Sequence, residues 1–360
     1  MQSTGRGYLF FSGNATLGVK SLIPSKMSYY DALNYLVQKT SVIELYDQLG
    51  GRVAVCPEWN GRVMTSTCGG LEGDSFGCIN VQAIDTGSYD DFGGEDQWTL
   101  SPLIHSFAVE SIKAHHAVLQ HTLRMADANG TSVECQLTRE IFLLSRFQAS
   151  EMFDDAFTEA LKQIDVSVVG FYTENTVRSP ERVYIACRQR GMFNASPHTA
   201  VIVPAPPMSF LSEPFSVDID YLGGAPHGRI RYLSKTLLIR ADGQRRCQVT
   251  MPYSTAPPII GAIERRSGTL TLWTFDLPKE YESNDVIRIY NPGRLQGEEL
   301  DWGTYYEMNC FSAARESEPE YPLTSSQCTL HINGANAVLD DLIRQIFGVT
   351  LEDVSRKMLW

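Results

Sequence analysis

Long apolar runs are missing from these 360 residues. None approaches the roughly 18 consecutive apolar residues of a membrane-spanning helix, so no such helix is expected. The stretch Gly7 to Leu22 contains Tyr8-Leu9-Phe10-Phe11, but Ser12-Gly13-Asn14 interrupts it at once and leaves a poor core for a signal peptide. Metal-type spacings are absent too. The eight cysteines, at 56, 68, 78, 135, 187, 247, 310 and 328, form no C-x-x-C and no Cys/His pairing of a zinc site. A chain of this length needs no disulfide staple, so most are expected to be reduced thiols acting as small buried apolar residues. Basic residues are scattered, and the formal net charge of -12 would repel a phosphate backbone, which argues against nucleic acid as a partner. A neutral polyhydroxylated ligand meets no such penalty. There is no repeat of fixed period, no low-complexity linker and no motif for a metal or cofactor.

What the chain does have is enough apolar material, 43% of residues, to bury a sizeable core. Ser28 is placed to cap a short helix in which Tyr30, Leu33, Leu36 and Val37 recur at helical spacing, ending near Thr40. From Ser41 the pattern changes to short β-type segments: Val42 to Tyr46, Arg52 to Cys56, Arg62 to Thr67, His105 to Ile112 and Ala117 to Met125. Asn129-Gly130 signals a tight turn joining Ala117–Met125 to Val133–Leu144 as a hairpin. Ser150 is read as the start of a second helix, with Phe153, Ala156, Phe157, Ala160 and Leu161 on one face.

Strand patterns then resume in nine segments between Val166 and Ile332, without the βαβ alternation of a doubly wound sheet. Ala337 to Phe347 carries an apolar helical stripe with Gly348 as its C-cap, and Thr350 with Asp353 opens a last short helix. These patterns predict a mainly β, antiparallel architecture of two sheets with a few peripheral helices. Residues 1–40 form an N-terminal segment with a short helix, and 41–360 a single domain with C-terminal helices.

Several segments together resemble one family. They are Gly61-Arg62-Val63-Met64-Thr65-Ser66-Thr67, Phe92-Gly93-Gly94-Glu95-Asp96-Gln97-Trp98, Thr138-Arg139-Glu140-Ile141 and Val169-Gly170-Phe171-Tyr172-Thr173-Glu174-Asn175-Thr176. The most specific is Gly191-Met192-Phe193-Asn194-Ala195-Ser196-Pro197-His198, and after it come Asp220-Tyr221-Leu222-Gly223-Gly224-Ala225-Pro226 and Tyr305-Tyr306-Glu307-Met308. Their order is similar to that of a bacterial family of uncharacterised proteins, some of them lipoproteins, with a galactose-mutarotase-like (aldose 1-epimerase-like) fold. The resemblance implies a supersandwich of antiparallel strands whose concave face carries the site in sugar epimerases. It also leaves a periplasmic or lipid-anchored location open, where the chain as written favours the cytoplasm. Nothing in the sequence sets an oligomeric state.

Mutarotation needs one group to take the proton of the anomeric hydroxyl and another to protonate the ring oxygen, tasks that suit a carboxylate and a histidine. By the resemblance, the epimerases' histidine stands a few residues ahead of a Phe-Asn pair. Matched to Phe193-Asn194, its place is held by Arg190, which does not exchange a proton near neutral pH. The epimerases' glutamate falls on Glu307-Met308-Asn309-Cys310, with Asn309 or Glu307 in the role.

Three readings follow. The first is a sugar- or oligosaccharide-binding or -processing protein, in which Gly93-Gly94 form a turn that brings backbone amides close to the ligand, with Glu95 and Asp96 as hydrogen-bond acceptors and Trp98 as stacking face. Arg190, Asn194, Asp220, His227 and Asn309 join them as further ligand contacts. The second is a structural or interaction module without a small-molecule site. The third is a true epimerase with Glu307 as base and His198 or His227 as acid. His115, His116 and His121 do not make a metal site in this reading, because alternate strand faces separate the adjacent pair.

Overall fold

The computed structural model describes residues 27–100, 105–126, 132–153, 155–205, 216–217, 228–233, 235–251, 258–276, 287–293, 305–311, 315–317 and 320–358. Two large antiparallel sheets dominate. In the nine-stranded sheet the spatial order is Ile43–Tyr46, Arg52–Cys56, Arg62–Thr67, Gly94–Thr99, Arg188–Asn194, Tyr305–Phe311, Ile287–Asn291, Cys247–Met251 and Ser216–Val217. The ten-stranded sheet runs Ile230–Leu233, Thr236–Arg240, Thr199–Pro204, Ile259–Glu264, Thr269–Phe275, Leu323–Asn333, Ser167–Arg178, Ser132–Leu144, His116–Ala126 and Ala108–Lys113. Val183–Ile185 and Arg315–Ser317 pair as a separate ribbon.

The expected hairpin is present, with His116 opposite Phe142 and Ala126 opposite Ser132; its Asn-Gly turn lies outside the described residues. Strand Ser132–Leu144 shows why the period-two reading works, since its odd-numbered residues Val133, Cys135, Leu137, Ile141 and Leu143 are all buried.

Three helices follow the expected apolar stripes. Tyr29–Val37 is capped by Ser28, whose side chain accepts from the Asp31 amide. Asn336–Phe347 ends at Gly348 with φ +68°, and Leu351–Met358 follows. The helix placed at Ser150 needs correction. A first helix, Arg146–Glu151, starts five residues earlier at a capping box between Ser145 and Gln148, and Asp155–Gln163 is a second.

Apolar side chains gather in separate layers. One inter-sheet cluster holds Leu45, Val55, Trp98, Leu119, Ile141 and Phe171, and another holds Phe193, Val201, Val249, Trp273, Tyr306 and Met308. The four helices from Arg146 onward cover the far side of the ten-stranded sheet through Phe157, Leu161, Leu272, Leu330, Leu339 and Phe347. The N-terminal helix covers part of the far side of the nine-stranded sheet, against Ala54, Cys56 and Met64. No helix among the described residues is long and apolar enough to cross a membrane.

No disulfide links any of the eight cysteines; seven are buried and Cys187 is half-buried. Burial pushes the Cys78 and Cys328 thiols up to about 12, so neither is a ready nucleophile. Denatured protein kept without reductant should therefore titrate all eight thiols, while the native protein should offer a thiol reagent at most Cys187. Recovery of fewer than half in denaturant would contradict this arrangement.

Candidate functional site

The segment expected to form a glycine-rich turn in a sugar cleft is a central strand, Gly94–Thr99, with a bulge. Arg190 pairs with Gln97 and Met192 with Gly94, so Glu95 and Asp96 together stand opposite Gly191 alone. A bulge of this kind turns two consecutive side chains to one face. Both carboxylates point between the sheets, with no exposed surface, and Trp98 is 3% exposed in the inter-sheet core.

The glycines serve the same packing. Gly93 has φ +95°, and a Cβ there would lie 1.9 Å from the Cys78 carbonyl oxygen. At Gly94, φ +111°, it would meet the Arg62 side chain at 2.7 Å. A Cβ on Gly191 would lie 2.9 Å from the Glu95 carbonyl oxygen. The close approach is thus to the protein itself.

Each inward carboxylate has partners on the opposite sheet, and Glu95 is also held by Ser66 of the neighbouring strand Arg62–Thr67. Glu95 Oε2 accepts from the Ser66 hydroxyl at 2.8 Å and pairs with His331 Nε2 at 2.7 Å, while its Oε1 accepts from the Ser66 amide. His331 Nδ1 meets the Thr271 hydroxyl at 2.8 Å, and the ring stacks on Phe76 with centroids 4.4 Å apart. Asp96 Oδ2 accepts from Arg139 Nη2 and from the Thr173 hydroxyl, each at 2.7 Å. Arg139 is wholly buried and also donates to the Gly61 carbonyl and to Asn175 Oδ1.

The opposite face of the same strands carries a second polar cluster. Residues 189, 191 and 193 of strand Arg188–Asn194 face the other sheet, so Arg188, Arg190, Met192 and Asn194 face away from it, as do Tyr305, Glu307, Asn309 and Phe311 of the neighbouring strand. Arg190 donates through Nη2 to Glu307 Oε1 and through Nη1 to the Asp90 carbonyl at 2.6 Å. Burial works against the Arg190 charge, but Glu307 outweighs it and raises the pKa. Arg188 reaches Asn309 Oδ1 through Nε at 3.0 Å and Nη2 at 2.7 Å, and stands 3.5 Å from Glu307 Oε2. Burial, with the Arg190 guanidinium next, pushes Arg188 down to about 10. The Asn309 amide donates to Glu307 Oε2 at 3.3 Å. Burial raises Asp91, beside Arg190, above the usual carboxylate range, and it raises Tyr305 likewise.

The structure therefore brings Arg190, Glu307 and Asn309 together on one face and sends Glu95, Asp96 and Trp98 to the other. Asn194 shares the outer face, where its amide donates to the Gly77 carbonyl at 3.0 Å and holds the 75–79 segment against the sheet. His198 sits in the turn that leads from the nine-stranded sheet into strand Thr199–Pro204 of the other, its carbonyl accepting from the Arg265 amide. Asp220 and His227 lie outside the described residues. Sequence reasoning did not pick out Arg188, Arg139 or His331. Among the described residues no cluster of His, Cys, Asp or Glu could hold a metal ion.

Two large face-to-face antiparallel sheets with short helices define a galactose-mutarotase-like sandwich. The fold matches a candidate aldose 1-epimerase from Escherichia coli K12 with TM-score 0.51 and 8% identity, over 81% of this chain and 98% of the other. A Synechocystis sp. PCC 6803 protein gives TM-score 0.50 and 12% identity, over 82% and 96%. A candidate mutarotase from Salmonella typhimurium gives 0.48 and 9%, over 84% and 100%. At such identities the likeness is one of fold. The chain belongs to the family of unknown function DUF6786, whose profile matches residues 27–109 and 103–358. It matches no curated protein sequence.

Because Gly93 combines a left-handed backbone with a carbonyl contact, Gly93→Ala should cost about 2 kcal/mol or more. Urea unfolding measures this, and a change below about 0.5 kcal/mol, the range of an ordinary surface substitution, would contradict the packing role of the glycine pair.

Proposed function

We propose that this protein binds a sugar or oligosaccharide on the outer face of the nine-stranded sheet, through Arg190, Glu307, Asn309 and the adjoining Arg188, and that it does so without rapid mutarotation. The observation that carries this reading is the engagement of Glu307, with Arg190 on one oxygen and Arg188 and the Asn309 amide on the other. Guanidinium and amide groups are hydrogen-bond donors suited to sugar hydroxyl and ring oxygens, and two of them lie at the positions matched to the epimerases' acid and base. A guanidinium does not give up its proton near neutrality, and an amide does not titrate. Loss of a general acid or base typically forfeits about 10²- to 10⁴-fold in rate, so turnover here should lie near the spontaneous reaction.

Glu95, Asp96 and Trp98 take no ligand contact in this proposal. They hold the strand that presents Gln97 beside Arg190. Asn194 acts by fixing the 75–79 segment at the same face.

The test combines binding and rate on the full chain. A thermal-shift screen against glucose, galactose, uronic acids and oligosaccharides should find a stabilising ligand, by mass action on the folded state. Arg188→Gln should weaken that stabilisation while leaving the unliganded protein folded. Polarimetry on freshly dissolved α-glucose and α-galactose should show no acceleration. Acceleration abolished by Glu307→Gln would replace this reading with a true epimerase, and a screen without any stabilising sugar would replace it with a structural module.

A further inference from the structure

A groove of about 750 Å³ lies on the outer face of the ten-stranded sheet, remote in the fold from the cluster around Glu307. Its floor is a cross-strand row of rings. His116 stands opposite Phe142, and Phe142 opposite Tyr172, on three adjacent strands. The imidazole lies flat on the Phe142 ring, with centroids 4.1 Å apart and planes 8° from parallel, and Tyr172 continues the row at 6.1 Å. Burial first, then Glu174, raises the Tyr172 pKa, so it stays a neutral phenol.

The next row along the same face sets Glu140 directly opposite Glu174. Like charges in directly opposed positions destabilise a sheet unless something relieves them. The relief present is modest, with His116 Nε2 3.0 Å from Glu140 and the Tyr172 hydroxyl 3.3 Å from Glu174.

The walls add to the negative field. One is the turn after strand Ile43–Tyr46, bringing Asp47 and the 83% exposed Leu49; the other is helix Arg146–Glu151, bringing Glu151 and the following Met152. The guanidinium of the nearby Arg146 is directed to the carbonyls of Leu161, Ile164 and Val166 and not to these carboxylates. An aromatic floor, apolar lips and three lining carboxylates beside Glu140 favour one kind of occupant. A cation is drawn to the carboxylates, and a methylene stem covers the row of rings and the lips.

We propose that this groove binds a linear aliphatic ammonium ion of the polyamine type, with its stem on Phe142 and Tyr172 and an ammonium group between Glu140 and Glu174. A neutral sugar could use the rings but would leave the opposed carboxylates unrelieved, and a phosphorylated ligand would be repelled. The inference does not depend on the sugar-binding reading, since it uses different strands and the other sheet.

The experiment is calorimetric titration of the full chain with spermidine at low ionic strength, with sodium chloride at matched ionic strength and methyl α-glucoside as controls. Saturable binding of spermidine is expected, weakening as salt screens the charges. Glu174→Gln should reduce affinity about tenfold, as expected for one charge-assisted contact, and Glu151→Gln should reduce it less. Glu159→Gln, an exposed acid paired with Lys162 on the neighbouring helix, should leave it unchanged. Circular dichroism of each variant checks folding, and Glu151→Gln carries the test should Glu174→Gln fail it. Absence of saturable spermidine binding, equal affinities in the Glu174→Gln and Glu159→Gln proteins, or binding of methyl α-glucoside in place of spermidine would each overturn the proposal.

Discussion

The sandwich depends on two adjacent carboxylates, Glu95 and Asp96, that cross from one sheet to polar partners on the other. A buried carboxylate is costly to desolvate and is tolerated only where its oxygens are hydrogen-bonded or paired. Here Ser66 of the same sheet binds Glu95, and the partners across the sandwich are His331, Arg139 and Thr173 of the ten-stranded sheet; none of these side chains is more than marginally exposed. The polar seam sits where strand Gly94–Thr99 faces strands Leu323–Asn333 and Ser167–Arg178, between the two inter-sheet apolar clusters. Either cluster would tolerate sliding of the sheets better than the seam does. A one-residue slip would leave a buried guanidinium and two carboxylates unpaired, so the seam sets the register in which the sheets stack.

That constraint reaches the outer face. Turning Glu95 and Asp96 inward together requires the bulge opposite Gly191, and the bulge decides which residues of strand Arg188–Asn194 align with which neighbours. Gln97 therefore lies beside Arg190, and Arg190 beside Asn309, with Glu307 one step further on the same face. The inter-sheet seam and the outer polar cluster are built on opposite faces of the same three neighbouring strands. Arg62, buried beneath Tyr89 with Nη1 on the Gly93 carbonyl, ties the glycine pair to this arrangement.

Much of the fold was legible from period-two patterning. The strands Arg52–Cys56, Arg62–Thr67, Thr236–Arg240, Cys247–Met251, Thr269–Phe275 and Tyr305–Phe311 have the boundaries their apolar runs suggest. Strand Ile259–Glu264 was not, because Gly261 interrupts it; the glycine is there since a Cβ would lie 2.4 Å from the Phe347 ring. Gly94–Thr99 read as a polar turn because two glycines and two acids look solvent-facing when their partners are unknown. Those partners lie 43 residues away for Arg139 and 236 for His331, a separation at which a single sequence carries no pairing signal. The outer cluster was more accessible, since Arg190, Glu307 and Asn309 sit in motifs that the family resemblance aligns. Arg188 begins a strand whose Arg-Gln-Arg-Gly opening has little β propensity, and it went unnoticed.

A double-mutant cycle on Asp96→Ala and Arg139→Met, followed by urea unfolding, probes the seam directly. If these groups are the buried pair that fixes the sheet stacking, Asp96→Ala alone should cost about 3–5 kcal/mol, because it strands the Arg139 charge. The coupling between the two sites should then be about 2 kcal/mol or more. A coupling below about 0.5 kcal/mol, the additivity expected of distant sites, would contradict the account.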